Sequence, residues 1–220
     1  MVELFVVIVT IALLAALFLP MLINARAKAS RISCTSNLKQ VGLAFRIFAG
    51  DNDDKYPFEA TNSIAFQRTS NAWVYFQAMS NELASAKILM CPKDSRRFNF
   101  AATDFSNTAM GLMSRGKQDL SVSYFVGLGA DELRPKSILT GDRNMATAES
   151  ISAYSSYAQG GAIQVGSKST WSTNMIHRAQ GNIVFGDASV GYGTSRWLSD
   201  QLQVATNLYG ITNNYLLFPQ

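Results

Sequence analysis

Few residues in this 220-residue chain have side chains suited to chemistry. The single histidine, His177, stands ten positions before Asp187, and Asp142 lies upstream in Gly141-Asp142-Arg143-Asn144. A histidine with two carboxylates suits a carboxylate–histidine pair, a metal centre, or a triad if a serine joined. The motifs that would select one of these are missing. No Gly-x-Ser-x-Gly elbow occurs, and one histidine cannot supply His-Glu-x-x-His zinc spacing. The plainer expectation is a structural polar motif, in which Asp142, His177 and Asp187 tie strands or a turn together by hydrogen bonds. The chain therefore reads as non-enzymatic, with no catalytic residue, no metal and no cofactor. An anchored hydrolase using His177 and Asp187 would have no nucleophile motif to work with.

The other candidates are weaker. Cys34 and Cys91 form either one disulfide or two unrelated buried thiols. A bridge between them would close a loop of roughly 57 residues, worth about 4 kcal/mol by chain entropy. Asp51-Asn52-Asp53-Asp54 fails the calcium-loop template, because Lys55 stands where an acid or amide belongs and Asn62 where the glutamate belongs, and reads as a solvated helix terminus. Residues 161–169 approach a phosphate loop, but Ser167 separates Gly166 from Lys168. Gly127-x-Gly129 lacks a third glycine. Tyr154, Tyr157 and Trp171, in a Ser- and Tyr-rich region, could stack on sugars. Glu3 is the sharpest residue: a carboxylate at the edge of a long apolar run is costly and needs a partner.

These residues must be placed by a small number of elements. Residues 4–23 carry no charge, and as a helix they would cover about 30 Å, the thickness of a bilayer core. Such a run is either a membrane-spanning helix or a removed targeting segment. Ala25-Arg26-Ala27 fits a small-x-small cleavage pattern. Against cleavage, the run is longer than a signal core, no basic residue precedes it, and helical patterning continues past it. Cys34, Leu38, Val41, Phe45 and Phe48 form an apolar stripe at helical spacing, with Arg26, Lys28, Arg31, Lys39 and Arg46 outside it. One helix over residues 2–49 is expected, ended by Gly50 and the acidic run, with Pro20 loosening its first half.

Beyond it, a helix is expected over residues 73–86 and a short strand over 88–92. A polar surface excursion should fill 93–118. Period-two patterning then gives strands near 120–126, 137–140, 171–176, 182–185 and 190–192, with a loop over 145–170. A helix capped by Thr194 or Ser195 should bury Trp197, Leu198, Leu202 and Val204 or Ala205. Residues 215–218 read as an edge strand before Pro219. The fold class is α+β: a long N-terminal helix packed on a mostly antiparallel sheet. Residues 1–23 form its membrane half, 24–50 its amphipathic half, and 51–220 the folded domain.

Charge narrows the partners. Residues 1–50 hold five basic side chains against Glu3, whereas residues 51–220 hold fourteen basic and fourteen acidic ones. The net charge of +4 thus belongs to the first helix. The domain has no basic excess for phosphates, which argues against nucleic acid as a partner.

Taken together, Glu3, the apolar run, Pro20 seventeen residues on, Asn37-Leu38-Lys39-Gln40-Val41-Gly42-Leu43-Ala44, Tyr56-Pro57, Cys91-Pro92-Lys93-Asp94, and His177 before Asp187 form a pattern. It resembles the type IV pilin superfamily, in particular its pseudopilin-like branch of type II secretion G-type proteins. These carry a prepilin-type N-terminal methylation motif, and one bacterial subgroup has a C-terminal His-x9-Asp-Gly. The resemblance implies a leader peptide and two mature residues ahead of Met1. It also implies pairing of Glu3 with a neighbouring subunit's N-terminal amine, a single pass through the bacterial inner membrane, and a periplasmic domain. The implied partners are prepilin peptidase, assembly machinery, other pilin-like subunits and copies of the chain itself. Two features depart from the pattern. Ala188 replaces the glycine of the terminal motif, where a turn with positive φ would be disfavoured. Arg26, Lys28 and Arg31 would face the cytoplasm by the positive-inside rule, opposite to the family's orientation.

The expected function is that of a structural subunit of a type IV pilus-like or type II secretion pseudopilus-like filament, with Glu3 and Pro20 in its assembly helix. The alternative is a membrane-anchored periplasmic binding protein or adhesin that never polymerises.

Overall fold

The computed structural model describes residues 2–60, 71–114, 116–146, 162–173, 176–210 and 214–219. Its longest element is helix α1, Val2–Gly50, which runs unbroken through Pro20. The helix ends where expected. Asn52 Nδ2 donates to the Phe48 carbonyl at 2.8 Å and the Asp54 amide to that of Ala49 at 3.0 Å, with Asp53 and Asp54 in left-handed conformation. These bonds satisfy carbonyls that the last turn leaves without partners.

Strands β1 (Tyr124–Gly127), β2 (Ile138–Asp142), β4 (Ala162–Val165), β6 (Gln180–Phe185), β7 (Val190–Thr194) and β8 (Asn214–Leu217) form one sheet in the order β4-β8-β1-β2-β6-β7. Its neighbours all pair antiparallel. β3 (Met145–Ala146) and β5 (Thr170–Trp171) make a small separate ladder. Helix α2 spans Ala72–Ala78, and α3 spans Ser195–Tyr209.

The long helix and antiparallel sheet give the α+β class that the patterning predicts. The apolar stripe of α1 is the reason: Cys34, Leu38, Val41 and Phe45 are all fully buried. They pack with Tyr75 and Phe76 of α2 and with Tyr124, Val126, Leu139 and Val184 of the sheet. Gly42 lets the helix come close; a Cβ there would sit 2.7 Å from Val184 Cγ1. On the other sheet face Phe125, Ile183 and Phe185 pack with Leu198 and Leu202 of α3. The sheet is therefore covered on both faces. That explains why β1 is buried at every position rather than alternating apolar with polar.

Several local expectations are corrected. The helix expected over 73–86 stops after Ala78, although Met79 and Leu83 still reach the core. Residues 88–92 are no strand. Ser85 accepts a bond from the Lys87 amide and starts a 3-10 turn, Ala86–Leu89, instead. The region 145–170 contains β3, β4 and the start of β5, because strand pairing overrides its weak local pattern. β5 ends at Trp171 rather than running to 176. β8 is no edge strand: it lies between β4 and β1. In α3 it is Ala205 that is buried, while Val204 is exposed.

Candidate functional site

Four elements meet at one buried polar cluster. α1 brings Cys34 and Thr35. The segment after the 3-10 turn brings Cys91. The C-terminal end of β2 brings Asp142, and the turn entering β6 brings His177, with Asn182 on β6 itself. Cys34 and Cys91 are joined as a disulfide, with their Cα atoms 5.2 Å apart. His177 Nε2 lies 3.5 Å from Cys91 Sγ and 3.6 Å from Asp142 Oδ2. Asp142 Oδ2 accepts from both the backbone N–H and the Nδ2 of Asn182, each at 2.8 Å. Thr35 Oγ1 donates to Asn182 Oδ1 at 3.0 Å. The contacts thus return to α1 one residue from where they began. Asp142 Oδ1 is buried and has no hydrogen-bond partner among the described residues.

The surroundings set the charges. Burial pushes the Asp142 carboxyl up to about 7, against the hydrogen bonds from Asn182, and nearby Asp94 adds to the rise. Burial pushes the His177 imidazole down to about 4, helped by Arg31 and Lys93. Between those values the two groups are a neutral acid beside a neutral imidazole, so their contact is no ion pair. A disulfide sulfur can only accept, so the contact with Cys91 needs the proton on Nε2.

His177 is held in an unusual way. His177, Arg178 and Ala179 all have positive φ, at 61°, 47° and 57°. Three successive non-glycine residues in this region store strain of roughly 1–3 kcal/mol each. The turn is fixed by neighbours: Asn144 Nδ2 donates to the carbonyls of Ile176 and Gln180, the latter at 2.9 Å, and the Ala179 amide donates to Ser172.

The sequence-predicted residues divide accordingly. Asp142 and His177 come together, and the disulfide forms. Asp187 stays apart, half-buried in the turn after β6, where it accepts from the Ser189 amide at 2.8 Å. Ala188 takes φ 58° in that turn despite its side chain. Trp171 is buried and packs over Gly181, where a Cβ would fall 2.6 Å from the ring, so it offers no face to a sugar. Tyr154 and Tyr157 lie outside the described residues. Glu3 sits in the first turn of α1, exposed.

Sequence reading misses Asn182, whose signal is a polar residue opening an apolar strand run. It also misses the buried bidentate pair of Arg143 with Asp94, at 2.7 Å for both bonds, which Ser123 Oγ joins at 2.9 Å. Arg97, expected on a surface excursion, is buried and donates to the carbonyls of Asp119, Val122 and Pro219.

A second site is a surface rather than a cluster. From Val2 to Ala29 every side chain described on α1 is exposed, and none of its most apolar stretch is buried in the chain. That helix is long and apolar enough to cross a membrane. Comparison with protein-family profiles, curated proteins and solved structures finds no match for this chain. The long apolar helix, the antiparallel sheet and the disulfide are compatible with a pilin-like fold.

Proposed function

We propose that the chain is a structural subunit of a type IV pilus-like or type II secretion pseudopilus-like filament. One observation carries this reading: α1 is a single 49-residue helix whose second half is docked on the sheet while its first half, among the described residues, leaves its apolar side chains exposed. An anchor alone needs no rigid continuation into the domain. A subunit whose helices pack together does, because the rigid helix then fixes each domain relative to the packed core.

On this reading the first half of α1 spans the inner membrane before assembly and enters the filament core afterwards. Removing it from lipid costs little if it packs against other apolar helices. Glu3 cannot stay unpaired in such a core, so it would choose the register at which a neighbour's amino terminus meets it. The partners are copies of this chain and other pilin-like subunits, delivered by prepilin peptidase and assembly machinery. The domain remains periplasmic until it faces outward on the filament.

Electron microscopy of cells that express the full gene together with a pilus-assembly system tests this. Filaments containing the chain are expected, and Glu3→Ala should reduce them at least tenfold while leaving the domain's disulfide and thermal midpoint unchanged. Monomer alone, with Glu3 intact and the machinery active, would refute the proposal and favour an anchored binding protein.

A further inference from the structure

Cys34 Sγ, Cys91 Sγ and His177 Nε2 all lie within 4.8 Å of one another, and all three residues are buried. Asp142 adds a carboxylate whose Oδ2 is 3.6 Å from Nε2 and whose buried Oδ1 has no partner among the described residues. A tetrahedral zinc ion with bonds of about 2.3 Å to sulfur and about 2.0–2.1 Å to nitrogen or oxygen fixes the separations between its ligands. Sulfur to nitrogen should then be roughly 3.6 Å and nitrogen to oxygen roughly 3.4 Å, from tetrahedral angles and those bond lengths. The observed 3.5 Å and 3.6 Å already match. Cys34 Sγ and Cys91 Sγ, by contrast, are bonded to each other. Two separate thiolates on one zinc would stand about 3.8 Å apart.

We infer that Cys34, Cys91, His177 and Asp142 are a zinc site whose occupancy excludes the disulfide. A dithiol reductant supplies two electrons and two protons, breaks the sulfur–sulfur bond and leaves as its own cyclic disulfide. The two thiols then lose their protons to solvent as Zn²⁺ binds their sulfurs, and no further electron moves. With zinc bound, the imidazole holds its one proton on Nδ1, which leaves Nε2 free for the ion. A disulfide oxidant reverses the cycle by taking back the two electrons, leaving as its dithiol, restoring the bond and releasing the ion.

The surroundings are those of a built metal site. Asn182 holds the carboxylate by two bonds to Oδ2, as outer-shell donors do at metal centres. The left-handed run 177–179 fixes the imidazole at a cost in backbone strain. Two thiolates, an imidazole and a carboxylate favour zinc over calcium or magnesium.

The test uses the full chain in detergent, reduced with a water-soluble phosphine because dithiols chelate zinc, and titrated with Co²⁺ and then Zn²⁺. The reduced chain should take up one Co²⁺, with the thiolate charge-transfer and strong visible bands of a tetrahedral ion, and Zn²⁺ should displace it. The oxidised chain should bind none. His177→Gln and Asp142→Asn, which keep side-chain size, should each weaken Co²⁺ binding by tenfold or more, and zinc should raise the thermal midpoint of the reduced wild type but not of His177→Gln. No Co²⁺ uptake, equal uptake by His177→Gln, octahedral spectra, or a reduced chain that unfolds and is not restored by zinc would each overturn the assignment.

Discussion

His177 and Asp142 have an unusual proton balance. The raised Asp142 value means the folded chain binds more protons than the unfolded one between the ordinary 3.8 and about 7. Taken alone, this group lowers stability as pH rises through that window. His177 does the reverse between about 4 and the ordinary 6.5, so its contribution rises with pH. Together the pair carries one proton in both states over most of that range: on histidine when unfolded, on aspartate when folded. The two slopes then cancel. Relative to wild type, His177→Gln should lose stability as pH rises across this range, with a slope approaching about 1.4 kcal/mol per pH unit. Asp142→Asn should gain stability with rising pH over the same range. Denaturant melts at a series of pH values measure both, and parallel curves for all three proteins would contradict the pairing. The left-handed turn gives a second expectation. Ala179→Gly should stabilise the chain by about 1 kcal/mol, read in the same melts, because glycine takes φ 57° without strain. The sequence shows that His177 and Asp142 matter, but not that they meet. Their contact depends on the register of β2 against β6 and on a turn of three non-glycine residues that propensity disfavours. Asp187 has the more regular spacing in sequence, yet its carboxylate caps its own turn.

Among the elements, α1 and the β6 strand decide how the domain holds together. Beyond their apolar contact, Arg31 donates to Gln180 Oε1 at 2.7 Å and stacks over Tyr192, while Lys39 Nζ donates to the Ala188 carbonyl at 2.8 Å. The helix thus reads a register along the sheet with alternating polar and apolar contacts. Gly42 stands at the closest approach. Gly42→Val should destabilise the domain by about 1–3 kcal/mol, since Val184 is short, stiff and buried and cannot move aside. Thermal melts of the full chain in detergent read this directly; an unchanged midpoint would mean the helix is free to shift on the sheet. The elements with strong periodicity were legible: α1, its buried stripe, α3 and strands β2, β6 and β7. The short ones were not. Ser85 turns an apolar run into a 3-10 turn, and β8 enters the middle of the sheet through pairing with β4, whose own sequence has little strand character. The first is a local capping bond inside an apolar run, and the second depends on a partner far along the chain.

Across the whole molecule, the division of α1 is the central fact. One half is consumed by the domain's core and the other is left apolar and uncovered. Composition and length make that division visible from the sequence. If subunits pack through it, neighbouring chains must touch along residues 4–23. A photo-crosslinking residue in place of Leu14, which is 56% exposed, reports on this inside cells that carry the assembly system. The expected result is a ladder of chain–chain adducts reaching well beyond the dimer, collapsing to monomer when Glu3 is replaced by alanine. Adducts limited to lipid or to monomer, with the assembly system active and Glu3 intact, would contradict the filament reading.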